Sequence, residues 1–153
     1  MADQATERTT IDAPPERCWE VAVDFERYPE WARDIKAVTV DTRDDEGRGV
    51  EVTFRAAAMG RSTSYTLRYD YGDAPRTLSW VLARGDITRK LDGEYIFEPA
   101  EGGGTDVTYH LTAELIVPLP GFIKRRAETK IIHTALRELK QHVEALSSGP
   151  GPR

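Results

Sequence analysis

The sequence predicts an α+β fold in which an antiparallel sheet of about seven strands packs against one long C-terminal helix. Three observations carry that expectation. In Pro120–Leu146, the residues Ile132, Leu136, Leu139, Val143 and Leu146 recur at alternating steps of four and three, which puts them on one helix face. At about 1.5 Å per residue, this stretch makes a rod about 40 Å long, more than twice the ordinary globular helix of ~11–12 residues. About six segments between Ile35 and Leu115 alternate apolar with polar residues, as strands with one wet face do. Short Gly-, Pro- and Asp-rich turns join them, which suits antiparallel pairs, because parallel pairs need long crossovers. A one-faced rod needs a broad apolar partner, and the strands supply it.

Glu7–Ile11 is short, Thr-rich and β-prone, and reads as the first strand. Asp12-Ala13-Pro14-Pro15-Glu16 turns the chain into a helix, with Pro15 near the first helical position and acids suited to a helix N-terminus. Cys18, Trp19, Ala22, Val23 and Phe25 give that helix an apolar side. It breaks at Arg27-Tyr28-Pro29, because a residue before proline avoids the α region, and a second short helical turn forms around Trp31. Ile35–Asp41 is the next strand, closed by Asp44-Asp45-Glu46-Gly47. Val50, Val52, Phe54 and Ala56 then mark the inward phase of a strand ending near Met59-Gly60, followed by Tyr65, Leu67, Tyr69 and Tyr71. Gly72-Asp73-Ala74-Pro75 turns the chain into Leu78, Trp80 and Leu82; Leu91, Gly93, Tyr95 and Phe97 follow. Pro99 and Gly102-Gly103-Gly104 make a hairpin turn before Val107, Tyr109, Leu111, Ala113 and Leu115. Ser147-Ser148-Gly149-Pro150 stops the long helix, giving one domain over 5–147 and a disordered tail over 148–153.

The chain has 153 residues and a net charge of −5, which argues against a nucleic-acid partner and against general attraction to anionic membranes. No N-terminal apolar run resembles a signal peptide and no stretch approaches ~18 apolar residues, so a cytoplasmic protein is expected. Cys18 stands alone and reads as inert packing. Gly-rich nucleotide loops, His-Glu-x-x-His and Gly-x-Ser-x-Gly do not occur, and no cofactor is expected. His110 takes an outward strand register, while His133 and His142 sit on opposite flanks of the long helix, nine residues apart. They cannot chelate one metal from a continuous helix, so no metal site is expected.

Ile11-Asp12-Ala13-Pro14-Pro15-Glu16 with Trp19, Phe25–Trp31 (FERYPEW), Leu91–Phe97 (LDGEYIF), Thr105–Tyr109 (TDVTY) and Pro118–Phe122 (PLPGF) resemble the START-like, or helix-grip, superfamily. Within it they resemble the polyketide cyclase/dehydrase and lipid-transport family, over Thr9 to Leu146. The resemblance implies a helix-grip fold, a curved antiparallel sheet wrapped on the long helix with two short helices between strands 1 and 2. Within that fold it implies a cavity between sheet and helix that holds an apolar or polyaromatic small molecule. It also implies a range of activities, from lipid or quinone carriers to aromatic polyketide cyclases, and fold alone does not choose among them.

Phe54, Tyr65, Tyr69, Tyr71, Trp80, Tyr95, Phe97 and Tyr109 share the inward phase. Each alone reads equally as core or as pocket wall. Five tyrosines are nevertheless a polar load for a core, since a buried phenol needs a hydrogen-bond partner. The expected ligand-binding set is Phe54, Tyr65, Leu67, Tyr69, Trp80, Tyr95 and Tyr109 on the sheet, with Arg125, Glu128, Ile132 and Leu136 on the helix. Projection at ~100° per residue puts Arg125 almost on the stripe axis and Glu128 within about 40° of it. Either these charges snorkel to solvent, or they gate the pocket mouth, Arg125 meeting a ligand oxygen and Glu128 serving as its resting partner. The apolar loop Ile116–Ile123 is either buried or a lid in transient contact with a membrane or a delivering protein.

Two functions follow. One is a carrier or sequestering protein for a lipid, isoprenoid quinone or polyketide-like molecule. The other is a polyketide cyclase, aromatase or dehydratase, with Tyr65, Tyr69, Tyr95 and Arg125 moving protons or stabilising an enolate. Monomer and homodimer are both compatible with the exposed apolar surface.

Overall fold

The computed structural model describes residues 3–58, 60–116 and 120–148, without the side chains of residues 3, 58, 124, 127, 128, 147 and 148. Strand β1 (Asp3–Ile11) leads to helix α1 (Pro15–Val23), a 3-10 turn (Phe25–Arg27) and helix α2 (Tyr28–Trp31). Strands β2 (Ile35–Arg43), β3 (Gly49–Ala58), β4 (Arg61–Asp70), β5 (Thr77–Gly85), β6 (Thr88–Pro99) and β7 (Thr105–Leu115) follow, and then helix α3 (Gly121–Ser148). The strands form one seven-stranded antiparallel sheet in the order β1-β7-β6-β5-β4-β3-β2. The helix-grip α+β architecture is therefore the one expected.

Each hairpin follows from its turn. A second 3-10 turn, Glu101–Gly103, joins β6 to β7, and Gly102 and Gly103 there take φ of 79° and 87°, where a Cβ would strain. Strand β1 is four residues longer at its start than the Thr-rich run suggests. Asp3 to Ile11 pair in unbroken register with Ala113 to Thr105, so the backbone groups of β7 satisfy a segment with no apolar alternation of its own.

The inward phase produces continuous rows across the strands. Ala5, Leu111, Gly93, Trp80 and Tyr69 form one row, and Tyr109, Tyr95 and Leu78 form the next. Phe54 pairs with Tyr65 farther along.

Helix α3 does not lie across the middle of the sheet. It packs chiefly on β1, with β7, α1 and α2 as further partners. Its buried stripe is Ile132, Leu136, Leu139 and Val143, while Leu146, the last residue of the expected stripe, is exposed because the helix has passed its partners. The inner faces of β3 and β4 are covered instead by the 3-10 turn, whose Phe25 ring lies 4.4 Å from Tyr69 and 6.4 Å from Phe54. Two polar ties fix the start of α1 against this frame. Thr105 Oγ1 donates to the Ala13 carbonyl at 2.7 Å, and the Asp12 N–H donates to Glu144 at 2.9 Å. Cys18 packs beside them, fully buried, and burial pushes its thiol pKa up. Residues 149–153 of the expected tail lie outside the described residues, and Ser148 is the last residue of α3.

Candidate functional site

The row containing Trp80 organises the interior. Its ring centroid lies 5.8 Å from Tyr69, 5.5 Å from Tyr95 and 5.7 Å from Tyr109, while Tyr95 and Tyr109 meet edge-to-face at 4.6 Å. Phe54 stacks on Tyr65 at 5.4 Å. Offset and edge contacts at these distances are the favourable ones for aromatic pairs. The indole has room because residue 93 is glycine. A Cβ there would stand 2.8 Å from Trp80 Cζ2 and 2.5 Å from the His110 carbonyl oxygen.

The polar atoms of this cluster divide sharply. The Tyr28 hydroxyl donates to the Ala22 carbonyl, and the Tyr71 hydroxyl donates to the Gly49 carbonyl at 2.6 Å. The hydroxyls of Tyr65, Tyr69, Tyr95 and Tyr109 make no hydrogen bond to any described residue. Trp80 is 5% exposed, and its Nε1 is the one fully buried side-chain polar atom without a partner among the described residues. An indole N–H can only donate, so this group is a buried donor facing no acceptor.

Electrostatics keep the phenols neutral. Burial raises the pKa of Tyr69, Tyr95, Tyr109 and Tyr65, and neighbouring tyrosines raise Tyr69, Tyr95 and Tyr109 further. The remaining buried polar side chains among the described residues are Thr63, Thr66, Thr88, Thr105 and Thr108. The interior can therefore donate hydrogen bonds to a ligand, but among the described residues it buries no carboxylate, imidazole or amine to take a proton.

Of the expected sheet residues, Phe54, Leu67, Tyr69, Trp80, Tyr95 and Tyr109 are buried in one cluster with Ile132 and Leu136, and Tyr65 packs against it half-buried. Arg125 is separate from the aromatic rings. It is exposed and lines a cavity of about 170 Å³ between α3, β1 and β7, with Gln4, Ala5, Leu111, Ala113, Thr129 and Ile132. The Glu128 side chain lies outside the described residues, as do residues 117–119 of the expected Ile116–Ile123 loop. Phe122 and Ile123 fall on the first turn of α3, not in a loop.

Sequence reading missed four contributors. Thr129 lies four residues after Arg125, and carrying the stripe back one turn would have found it. Gln4 and Ala5 needed the β1–β7 register, which no local pattern gives. Tyr28 was read only as part of a helix break, yet its ring lies 5.8 Å from Phe54 and 4.9 Å from Trp31. Trp31 in turn stacks on His142 at 5.5 Å.

Elsewhere several surface cations are paired with acids. A shallow cleft of about 570 Å³ near the β4–β5 turn includes Arg48 and Arg68. Arg48 is paired with Asp44 at 2.8 Å and Glu46 at 2.9 Å, and Arg68 with Glu51 at 2.8 Å. His110 bonds Thr6 at 2.8 Å and His133 approaches Glu7 at 3.3 Å. Among the described residues, no group of three potential ligands could hold a metal ion, and no helix is long and apolar enough to cross a membrane.

Solved structures share this architecture. A START superfamily protein from Mycobacterium smegmatis matches with a TM-score of 0.86 at 22% identity, over 94% of this chain and 98% of that one. The Zhui aromatase/cyclase from Streptomyces sp. R1128 matches with 0.86 at 14% identity, over the whole of both chains. A protein from Thermus thermophilus matches with 0.77 at 26% identity, over 95% and 99%. No curated protein sequence matches. The sequence model of one family covers residues 2–144, and on that extent the chain belongs to the polyketide cyclase/dehydrase and lipid transport family.

Proposed function

We propose that this protein binds a hydrophobic small molecule of the lipid, isoprenoid quinone or polyketide class between the sheet and α3, as its carrier or sequestering protein. The observation that carries this reading is Trp80 Nε1, a buried donor with no acceptor among the described residues, set among phenols that find no partner there. Leaving such a donor unsatisfied costs about 1–3 kcal/mol, and a ligand carbonyl or hydroxyl oxygen would recover it. Phe54, Tyr65, Leu67, Tyr69, Trp80, Tyr95 and Tyr109 would form the wall, and Ile132 and Leu136 the helix side. Arg125, with Glu128 as its partner, would stand at the mouth. Ligand exchange at a membrane or with a delivering protein would use the segment 116–123. Binding needs no proton acceptor, whereas a cyclase does, and the described interior buries none; this favours the carrier.

Native mass spectrometry of the purified protein, followed by organic extraction, tests the reading. A retained lipid, quinone or polyketide, or a thermal shift with such compounds that weakens in Trp80→Phe, is the expected result. Bare protein with no shift across the panel would return the phenols to plain core. Turnover of a poly-β-ketone substrate would replace the carrier with a cyclase.

A further inference from the structure

The geometry points to the first turns of α3 as a docking surface for an anionic lipid bilayer. This gives the exchange step a stated partner, and its test needs no ligand. The chain carries a net charge of −5, yet Phe122–Lys130 holds Lys124, Arg125, Arg126 and Lys130 against Glu128 alone. At ~100° per residue, Phe122, Arg126, Lys130 and Ile123 share one sector about 100° wide, centred roughly 120° from the buried stripe. All four are exposed, Phe122 at 62% and Ile123 at 38%, and Ile116 just before the helix is exposed at 47%.

In water this face is poorly placed twice over. Large apolar side chains are left wet, and Arg126 and Lys130, four residues apart on one helix face, repel each other. An anionic interface relieves both. Phe122 and Ile123 can enter the headgroup–acyl boundary while Arg126 and Lys130 reach up to lipid phosphates. The acidic remainder of the surface would be repelled, which orients the molecule with this end down. The Arg125–Thr129–Ile132 cavity would then stand beside the bilayer. A second copy suits the face less well, because a twofold contact would set these cations against themselves.

Flotation with phosphatidylcholine vesicles, and with vesicles containing about one-third phosphatidylglycerol, tests the assignment. Binding to the anionic vesicles alone, weakening with salt, is expected. Arg126→Gln and Lys130→Gln should each lower partitioning about fivefold, and Phe122→Ser about tenfold. Because these side chains are exposed, the melting temperature should be unchanged, which separates lost docking from lost folding. Equal partitioning to both vesicle types, or unaltered binding by the variants, would overturn the assignment. So would a dimer that Phe122→Ser dissolves while no vesicle binding is seen, which would give the face to a second copy.

Discussion

Two groups of tyrosines share the inner side of this sheet and differ in one respect. Tyr28 and Tyr71 end on backbone carbonyls, whereas Tyr65, Tyr69, Tyr95 and Tyr109 end on no described partner. The first group is half-buried, its hydroxyls spent on holding segments together: Tyr28 ties the start of α2 to α1, and Tyr71, just past β4, ties that strand's end to the start of β3. The second group surrounds an indole donor that is itself unsatisfied. Burial does not single out the second group, since Tyr65 is half-buried like Tyr28 and Tyr71. Hydrogen-bond bookkeeping does.

The sharpest way to break the contrast is Gly93→Ala. A methyl group 2.5 Å from the His110 carbonyl and 2.8 Å from the indole must displace Trp80 or part the β6–β7 ladder. A loss of about 2–3 kcal/mol in urea unfolding is expected, with binding of any ligand lost alongside. A stable Gly93→Ala protein that still binds would remove Trp80 from the centre of the site. Next comes Tyr71→Phe, which removes the hydroxyl that donates to the Gly49 carbonyl and should cost about 1 kcal/mol in the same assay.

Alkaline titration compares both groups at once. Tyr71 is pushed up to about 12, and burial raises Tyr69, Tyr95 and Tyr109 well above the ordinary value. The unfolded chain gives up these protons near pH ~10 while the folded chain retains them, so stability is whole below that pH. It should fall as pH rises through the folded values, with tyrosinate absorbance appearing only as the protein unfolds. Free titration of several tyrosines near pH ~10 in folded protein would mean that the second group is open to water.

The smallest effect is the most informative. Tyr95→Phe removes a hydroxyl with no described partner, so stability should stay within about 0.5 kcal/mol, while ligand affinity drops about fivefold if that hydroxyl donates to the ligand. A loss near that of Tyr71→Phe would erase the distinction between the groups.

Much of this was legible in the sequence. Period-two alternation placed Phe54, Tyr65, Tyr69, Trp80, Tyr95 and Tyr109 on one face, because strand geometry leaves a side chain only two sides. The hydrogen-bond split was not legible: the Gly49 carbonyl reaches Tyr71 through tertiary folding, and the Ala22 carbonyl reaches Tyr28 only through the shape of the turn between α1 and α2. Gly93 could be read as inward, but its purpose depends on the β5–β6 register that lays Trp80 over it. Helical periodicity set Arg125 near the stripe axis, and the spacing was sound. It could not tell that β1 and β7 would leave that side chain exposed beside a cavity.

The pairing of β1 with β7 also governs how the molecule is made. Asp3 finds its partner at Ala113, so the strand synthesised first waits for the one synthesised last. At ~5–20 residues per second, that delay is on the order of ten seconds on the ribosome. The β2–β6 hairpins can form meanwhile and Phe25 can cover β3 and β4, but Tyr95 still lacks Tyr109 of β7, and α3 emerges later still and rests mainly on β1. Closure is a late, long-range step of the kind that slows folding, and during it the nascent chain exposes part of the face proposed above to hold a ligand.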